Sequence, residues 1–478
     1  MKHLPLILLL ALSLLFALWF VGCNRTGTPA DTTTAEDTTV ADETTKKPKE
    51  TEPPAPETEP LATGPVEPYG EFELVISEPT VVYQARETVQ GWGKHQFPNI
   101  GYTKDGLLRI KWSYGEDKVG AKNESYVRVS MNGGKTWLPG TSLDTPGTTL
   151  FPMTNGKSLA GFVSKGVTYE LNFDNYTPVF ESDRAAYYLL DDLKEDPAMT
   201  NAWCFAIREY DPATGKTETV EATLHWPWGA VAHYPNGSTY TTSGKICQDG
   251  RRFFVAEDGT LYTVFYEYAL DHTASTLEEA LEGVRYGHSA LVFYSKDCGR
   301  NWYLAKQFIP TAEIKAMSVE YENFTSDYEG FTESNMIQTA SGGFMILMRS
   351  GSSRTLFCSY SEDGMTWSDP RKFDDFGVLP QLLTMDCGVL LASYGRPELR
   401  VRATSDPTAV TWQDPVTIPV TLKNEDYWSR SCFYTGMLQI DANTAMLVYT
   451  DFQYPNKQGN PARAVLVRTI HVVPKSED

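Results

Sequence analysis

Four residues late in the chain have side chains that could together handle a proton, an anion and a covalent bond: Glu333, Arg349, Arg396 and Tyr434. The stretch from Phe331 to Arg349 reads as a strand, a Ser341-Gly342-Gly343 turn and a returning strand. An antiparallel hairpin brings both of its ends to one edge, so Glu333 and Arg349 are expected to share a pocket. The plainer alternative is a surface ion pair of little energetic value. Arg396 follows a second strand in Tyr394-Gly395-Arg396-Pro397, with Arg400 and Arg402 close behind. A guanidinium is a planar fork that matches a carboxylate or sulfate with two parallel hydrogen bonds. Arg400 is a rival to Arg396, and on a strand Arg400 and Arg402 face the same side. A turn arginine packed on Tyr394 is the alternative here. Tyr434 sits in Ser431-Cys432-Phe433-Tyr434, and Asp451 lies seventeen residues further on. A phenol with a pKa of about 10 is a poor nucleophile at neutral pH. A carboxylate such as Glu333 would have to accept its proton; a Tyr buried in the core is the competing reading.

Composition indicates which elements must carry these groups. Hydrophobic residues make up 41 % of 478, enough for a sizeable core, which excludes wholesale disorder. Eleven Trp, 26 Tyr, 36 Gly and 29 Pro favour strands and turns over helices. The best helix signal, Thr276–Val284, looks like an insertion. A formal charge of −20 argues against nucleic acid as a partner, because phosphate binding needs clustered Lys and Arg.

A turn pattern repeats through the body. It runs Ser130 to Trp137, Ser295 to Trp302 and Ser361 to Trp367, with a weaker version from Ser405 to Trp412. Each follows an alternating, strand-like stretch. Asp or Asn accepts hydrogen bonds from backbone two residues on, and Gly supplies positive φ. The Trp then returns to the sheet and buries a large face. These polar residues are therefore expected to close hairpins rather than to catalyse.

The pattern resembles the Asp-box of sialidases and related β-propellers. The resemblance implies an all-β, six-bladed propeller over residues 70–478. The gaps between successive Trp are 165, 65 and 45 residues, and the two short ones suit one four-stranded blade each. It further implies an exo-glycosidase acting on a terminal, anionic sugar. By that resemblance Tyr434 is the nucleophile, Glu333 assists it, and Arg349 and Arg396 (or Arg400) grip a carboxylate; sialidases are the Tyr-nucleophile exception among glycosidases. Asp451 occupies the end of the following strand. The acid/base falls before the first box, at Asp117, with Glu116 and Glu124 as alternatives. The first blade departs from the family: Gln96, in His95-Gln96-Phe97-Pro98, stands where the first of three arginines belongs. His95 and Lys94 are candidates to compensate.

The N-terminal residues are expected to be an address. Lys2 and His3 precede an apolar run that ends in Phe20-Val21-Gly22-Cys23. This resembles the lipobox of bacterial lipoproteins, which implies a signal over residues 1–23, lipidation of Cys23 and a membrane-anchored body outside the cytoplasmic membrane. An uncleaved membrane anchor is the alternative. Residues 24–69 read as a disordered Thr/Pro/Glu-rich tether, with ten acids against four bases and no aromatic before Tyr69. The six cysteines after Cys23 show no CxxC, so neither a metal nor a cofactor is expected. Disulfides and buried free thiols stay open as alternatives. There is no GxSxG elbow, P-loop, GxGxxG or HExxH motif. A monomer acting on glycans is the expectation. A non-catalytic glycan-binding propeller is the second reading, and a purely structural surface protein the third.

Overall fold

The computed structural model describes residues 70–475, except 87–91, 116–123, 141–149, 165–170, 183–184, 194–195, 197–203, 226–227, 236, 238, 242–252 and 422–430. The described residues lie in a compact unit spanning Pro60–Asp478. The expected signal, Cys23 and the expected tether fall outside them.

The chain is all-β, and its described strands form six hydrogen-bonded sheets. One sheet comprises β3 (Gln96–Tyr102), β4 (Leu108–Tyr114), β5 (Glu124–Ser130) and β6 (Leu138–Pro139). An eight-stranded sheet holds two antiparallel four-strand units. The first is β7 (Phe151–Pro152), β8 (Ser158–Ser164), β11 (Cys204–Asp211) and β12 (Lys216–His225). The second is β15 (Phe253–Val255), β16 (Leu261–Glu267), β17 (Ser289–Ser295) and β18 (Asn301–Phe308). They join where β12 and β18 pair in parallel. Between β8 and β15 the chain also makes a small separate sheet from β9 (Phe180–Glu181), β10 (Ala186–Leu189), β13 (Ala230–His233) and β14 (Thr239–Thr241). Two regular meanders follow: β19 (Thr332–Gln338), β20 (Phe344–Arg349), β21 (Leu356–Ser361) and β22 (Arg371–Asp374), then β23 (Val378–Thr384), β24 (Leu390–Gly395), β25 (Leu399–Thr404) and β26 (Val416–Ile418). The last sheet takes β27 (Gly436–Asp441), β28 (Thr444–Pro455) and β29 (Pro461–Pro474), and both β1 (Phe72–Ile76) and β2 (Thr80–Gln84) pair with β29.

Successive sheets share cores because strand side chains alternate faces. On β20, Met345 and Leu347 enter one cluster with Leu390, Ala392 and Tyr394, whereas Ile346 and Met348 enter another with Val264 and Val292. A strand buried on both faces must be apolar throughout, as Phe344–Met348 is. The expected helix forms in shortened form. Thr276 caps it by accepting from Glu279 N at 3.3 Å, and one α-turn (Leu277–Ala280) runs into a 3-10 turn (Leu281–Val284).

The four Trp motifs close the hairpins β5–β6, β17–β18, β21–β22 and β25–β26. Ser130, Ser295 and Ser361 accept from the N–H of Gly134, Gly299 and Gly364 at 2.8, 2.9 and 2.8 Å. The indoles of Trp137, Trp302 and Trp367 donate back to those glycine carbonyls at 3.0, 2.9 and 2.9 Å. The fourth turn substitutes: Thr404 accepts from Asp406 N at 2.8 Å, and Ala409, at φ 55°, takes the glycine's place. The long gap before Trp302 holds a hairpin without Trp, in which Asp211 accepts from Ala213 N at 2.8 Å. Cys298, Cys358, Cys387 and Cys432 are free thiols.

Asp297 accepts from Ser295 Oγ, Asn301 N and Asn301 Nδ2 at 2.8, 2.9 and 2.6 Å. Removing a charged acceptor of three bonds at a half-exposed turn should cost about 1–2 kcal/mol. Asp297→Ala is therefore expected to lower the urea midpoint without changing the dependence on urea. An unchanged midpoint would show the turn to be held by Trp302 alone.

Candidate functional site

The site is built at the starts of four inner strands. β19 packs beside β23, β23 beside β27 and β27 beside β3. Three of them begin with the same irregularity. Gln96 pairs with Ser113, Thr332 with Arg349 and Val378 with Gly395, and each register then slips before resuming. The residue after the first pair has positive φ in every case: Phe97 at 54°, Glu333 at 41° and Leu379 at 38°. Phe433, just before β27, is at 60°. Non-glycine residues in this region cost about 1–3 kcal/mol each and persist where surrounding structure holds them. Such bulges bend a strand and re-aim its side chains. Here they converge: the Phe97 ring lies 5.0 Å from the Tyr434 ring, and Leu379 N donates to Glu333 Oε2 at 2.9 Å.

Tyr434 Oη donates to Glu333 Oε1 in a short hydrogen bond. Arg349 Nη1 lies 2.7 Å from Glu333 Oε2 and donates to Tyr434 Oη at 3.4 Å. Its Nη2 pairs with Glu329 Oε1 at 2.8 Å and reaches Ser352 Oγ at 3.3 Å. Arg396 shares that serine, with Nη1 donating to Ser352 Oγ at 3.0 Å and Nη2 to the Cys432 carbonyl at 2.9 Å. Its guanidinium lies 5.1 Å from the Trp92 ring centre and 5.7 Å from that of Tyr434.

Burial and charge set the protonation states. Burial alone would raise the Glu333 carboxyl, but Arg349, the Tyr434 hydroxyl and Arg396 outweigh it and hold it below the usual carboxylate range. Burial, then the Glu333 charge, push the Tyr434 phenol well above its ordinary value, against the pull of Arg349 and Arg396. At neutral pH the pair is a carboxylate accepting from a neutral phenol. Burial lowers the Arg396 guanidinium; the Tyr434 and Glu333 charges oppose that and Arg349 adds to it.

The structure thus brings together Glu333, Arg349, Arg396 and Tyr434. Gln96 opens the bulge next to Phe97; it is fully buried, and neither amide atom has a hydrogen-bond partner. Four other expected residues are held elsewhere. His95 is neighbour to Gln96 and packs with Tyr83, Trp112 and Tyr114; its Nδ1 accepts from Trp112 Nε1 at 3.0 Å. Burial, with Arg463 and Lys94 nearby, pushes its imidazole down to about 4, so it is neutral. Lys94 Nζ sits 4.2 Å above the Tyr114 ring. Arg400 pairs with Asp374 at 2.8 Å and Glu398 at 2.9 Å, over the Phe376 ring. Asp451 accepts from Thr421 N, Thr421 Oγ1 and Gln453 N, which fixes a loop. Asp117 and Glu116 lie outside the described residues, and Glu124 is exposed at the start of β5.

Glu329, Ser352, Trp92 and Phe97 were not legible as site residues. Glu329 is held by backbone: His288 N donates to its carbonyl at 3.0 Å and its own N donates to Ser350 O at 2.9 Å. Gly330 follows at φ 78°, where a Cβ would meet His288 N at 2.4 Å, so only glycine lets the two segments approach. Among the described residues no group of three or more His, Cys, Asp or Glu could hold a metal ion.

No family model and no curated protein matches the sequence. Solved structures do resemble the fold. A protein of unknown function from Dyadobacter fermentans is 16 % identical, with 84 % of this chain and 99 % of that one covered at a TM-score of 0.48. An α-L-arabinofuranosidase from Fusarium graminearum is 11 % identical, with 82 % and 97 % covered at 0.37. A Hadza microbial sialidase is 13 % identical, with 80 % and 66 % covered at 0.35. At such scores these likenesses carry no functional weight.

Proposed function

We propose that the body is a six-bladed β-propeller and an exo-glycosidase with a tyrosine nucleophile. Six units support the blade count: the sheets starting at β3, β19, β23 and β27, and the two halves of the eight-stranded sheet. The observation that carries the activity is the hydrogen bond from Tyr434 Oη to Glu333, with Arg349 against both.

Glu333 takes the phenol proton as Tyr434 Oη attacks the anomeric carbon. The bond from that carbon to the leaving oxygen breaks, and an acid, assigned to Asp117 by the resemblance, protonates the leaving oxygen. Arg349 and Arg396 lie where negative charge develops on the phenol oxygen, which lowers the barrier to its ionisation. In the second half, water attacks the same carbon with Asp117 as base, and Tyr434 leaves and recovers its proton from Glu333. Two displacements predict retention of configuration. Residues 1–69 would tether this body to the outer face of a bacterial membrane through a lipid on Cys23.

The test is the full chain against aryl glycosides of both anomeric series, with the product anomer followed by NMR. Retained product is expected, with turnover lower by about 10²–10⁴ in Glu333→Gln. Inverted product would overturn the tyrosine mechanism. Glycan binding without release from any glycoside would leave a binding propeller.

A further inference from the structure

The partners of Arg349 bear on which sugar the site can take. An incoming carboxylate needs guanidinium charge that carboxylates of the site do not already balance. In Arg349, Nη1 is paired with Glu333 at 2.7 Å and Nη2 with Glu329 at 2.8 Å. In Arg396, Nη1 donates to Ser352 and Nη2 to the Cys432 carbonyl. The position expected to carry the third cation holds Gln96, a neutral amide. Two carboxylates and two guanidiniums therefore balance one another around Tyr434. A sugar carboxylate brought here would face Glu333 and Glu329 without a free cation to offset them. A hydroxyl carries no such cost. It also matches a buried amide: Gln96, beside Phe97, offers an acceptor and donors that make no hydrogen bond, and the Arg349 Nε–H is a further single donor that a hydroxyl oxygen can accept from.

Building on the glycosidase reading above, we infer that the site takes an uncharged terminal sugar, not an acidic one, and that Gln96 receives its hydroxyl groups. The role of the second carboxylate, Glu329, is to occupy the arginine that would otherwise accept an acid.

Two measurements on the full chain separate this inference from the activity itself. The first compares kcat/KM for 4-nitrophenyl glycosides of neutral pyranoses and furanoses with the α-sialoside and the β-glucuronide. A preference of about 100-fold or more for a neutral glycoside is expected; faster release from the sialoside or glucuronide overturns the inference and leaves the glycosidase. The second is calorimetric binding of neutral methyl glycosides, N-acetylneuraminate and glucuronate to Tyr434→Phe and to Tyr434→Phe/Glu329→Gln. Neutral sugars bound by a chain whose wild type releases nothing would sink the glycosidase and keep the inference. Tighter binding of the acids, or binding of no sugar, overturns it. Glu329→Gln frees Nη2 and is expected to improve affinity for the acids by about tenfold; no change in selectivity would remove Glu329 from the account.

Discussion

Tyr434→Phe is expected to lower kcat by about 10⁴-fold or more while the protein stays folded. The substitution deletes only Oη. The ring keeps its place against Phe97 and beneath the Arg396 guanidinium. Glu333 loses the donor to Oε1 but keeps Arg349 and the Leu379 N–H on Oε2. The stability cost is that of one hydrogen bond, about 1 kcal/mol. A thermal midpoint near wild type with turnover gone would single out the oxygen. Turnover within about tenfold of wild type would mean that Tyr434 is not the nucleophile.

Arg349→Met should act the other way, on stability first. It removes the cation between two carboxylates and leaves Glu333 buried without its main partner, a loss of about 3–5 kcal/mol near neutral pH. The pH dependence gives the effect a signature. In the wild type the folded pKa of Glu333 lies below its ordinary value of 4.5. Its contribution is therefore fully present above that value and is lost as pH falls through the folded pKa. In the variant, burial is no longer outweighed by Arg349, so the folded pKa moves up. The penalty is then felt above that raised pKa and is relieved as pH falls through it. Urea unfolding at about pH 7 and about pH 4 should show the gap between the two proteins narrowing in acid. A gap that does not change with pH would mean that Arg349 acts through packing.

The sequence carried this cluster as far as local periodicity reaches. The hairpin from Phe331 to Arg349 was legible because strand, Gly turn and strand are contiguous, and its closure pairs Thr332 with Arg349 and so brings Glu333, the next residue, within reach of it. Tyr434 and Arg396 were reached through a family pattern. His95 was read as a site candidate, but neighbours on a strand face opposite ways: His95 packs among aromatics while Gln96 is an orphan amide. Arg400 was drawn away by Asp374, twenty-six residues earlier, a partner no local pattern announces. Glu329 sits on a loop whose path is set by the close approach of Gly287 and Gly330, which appears in sequence only as two scattered glycines. The unit of β7, β8, β11 and β12 carried no mark of its own because its hairpin at Asp211 lacks the Trp that marks the others.

The pairing of β1 and β2 with β29 has a consequence for how the protein comes to exist. Phe72 finds its partner in Pro474, so strands made near the start of synthesis wait, unpaired, for one made at the end. Contacts this distant in sequence make folding slow. A chain halted before β29 would leave β1, β2 and β28 without the strand that each of them pairs with. Completion of this last sheet is thus withheld until the end of the chain has been made.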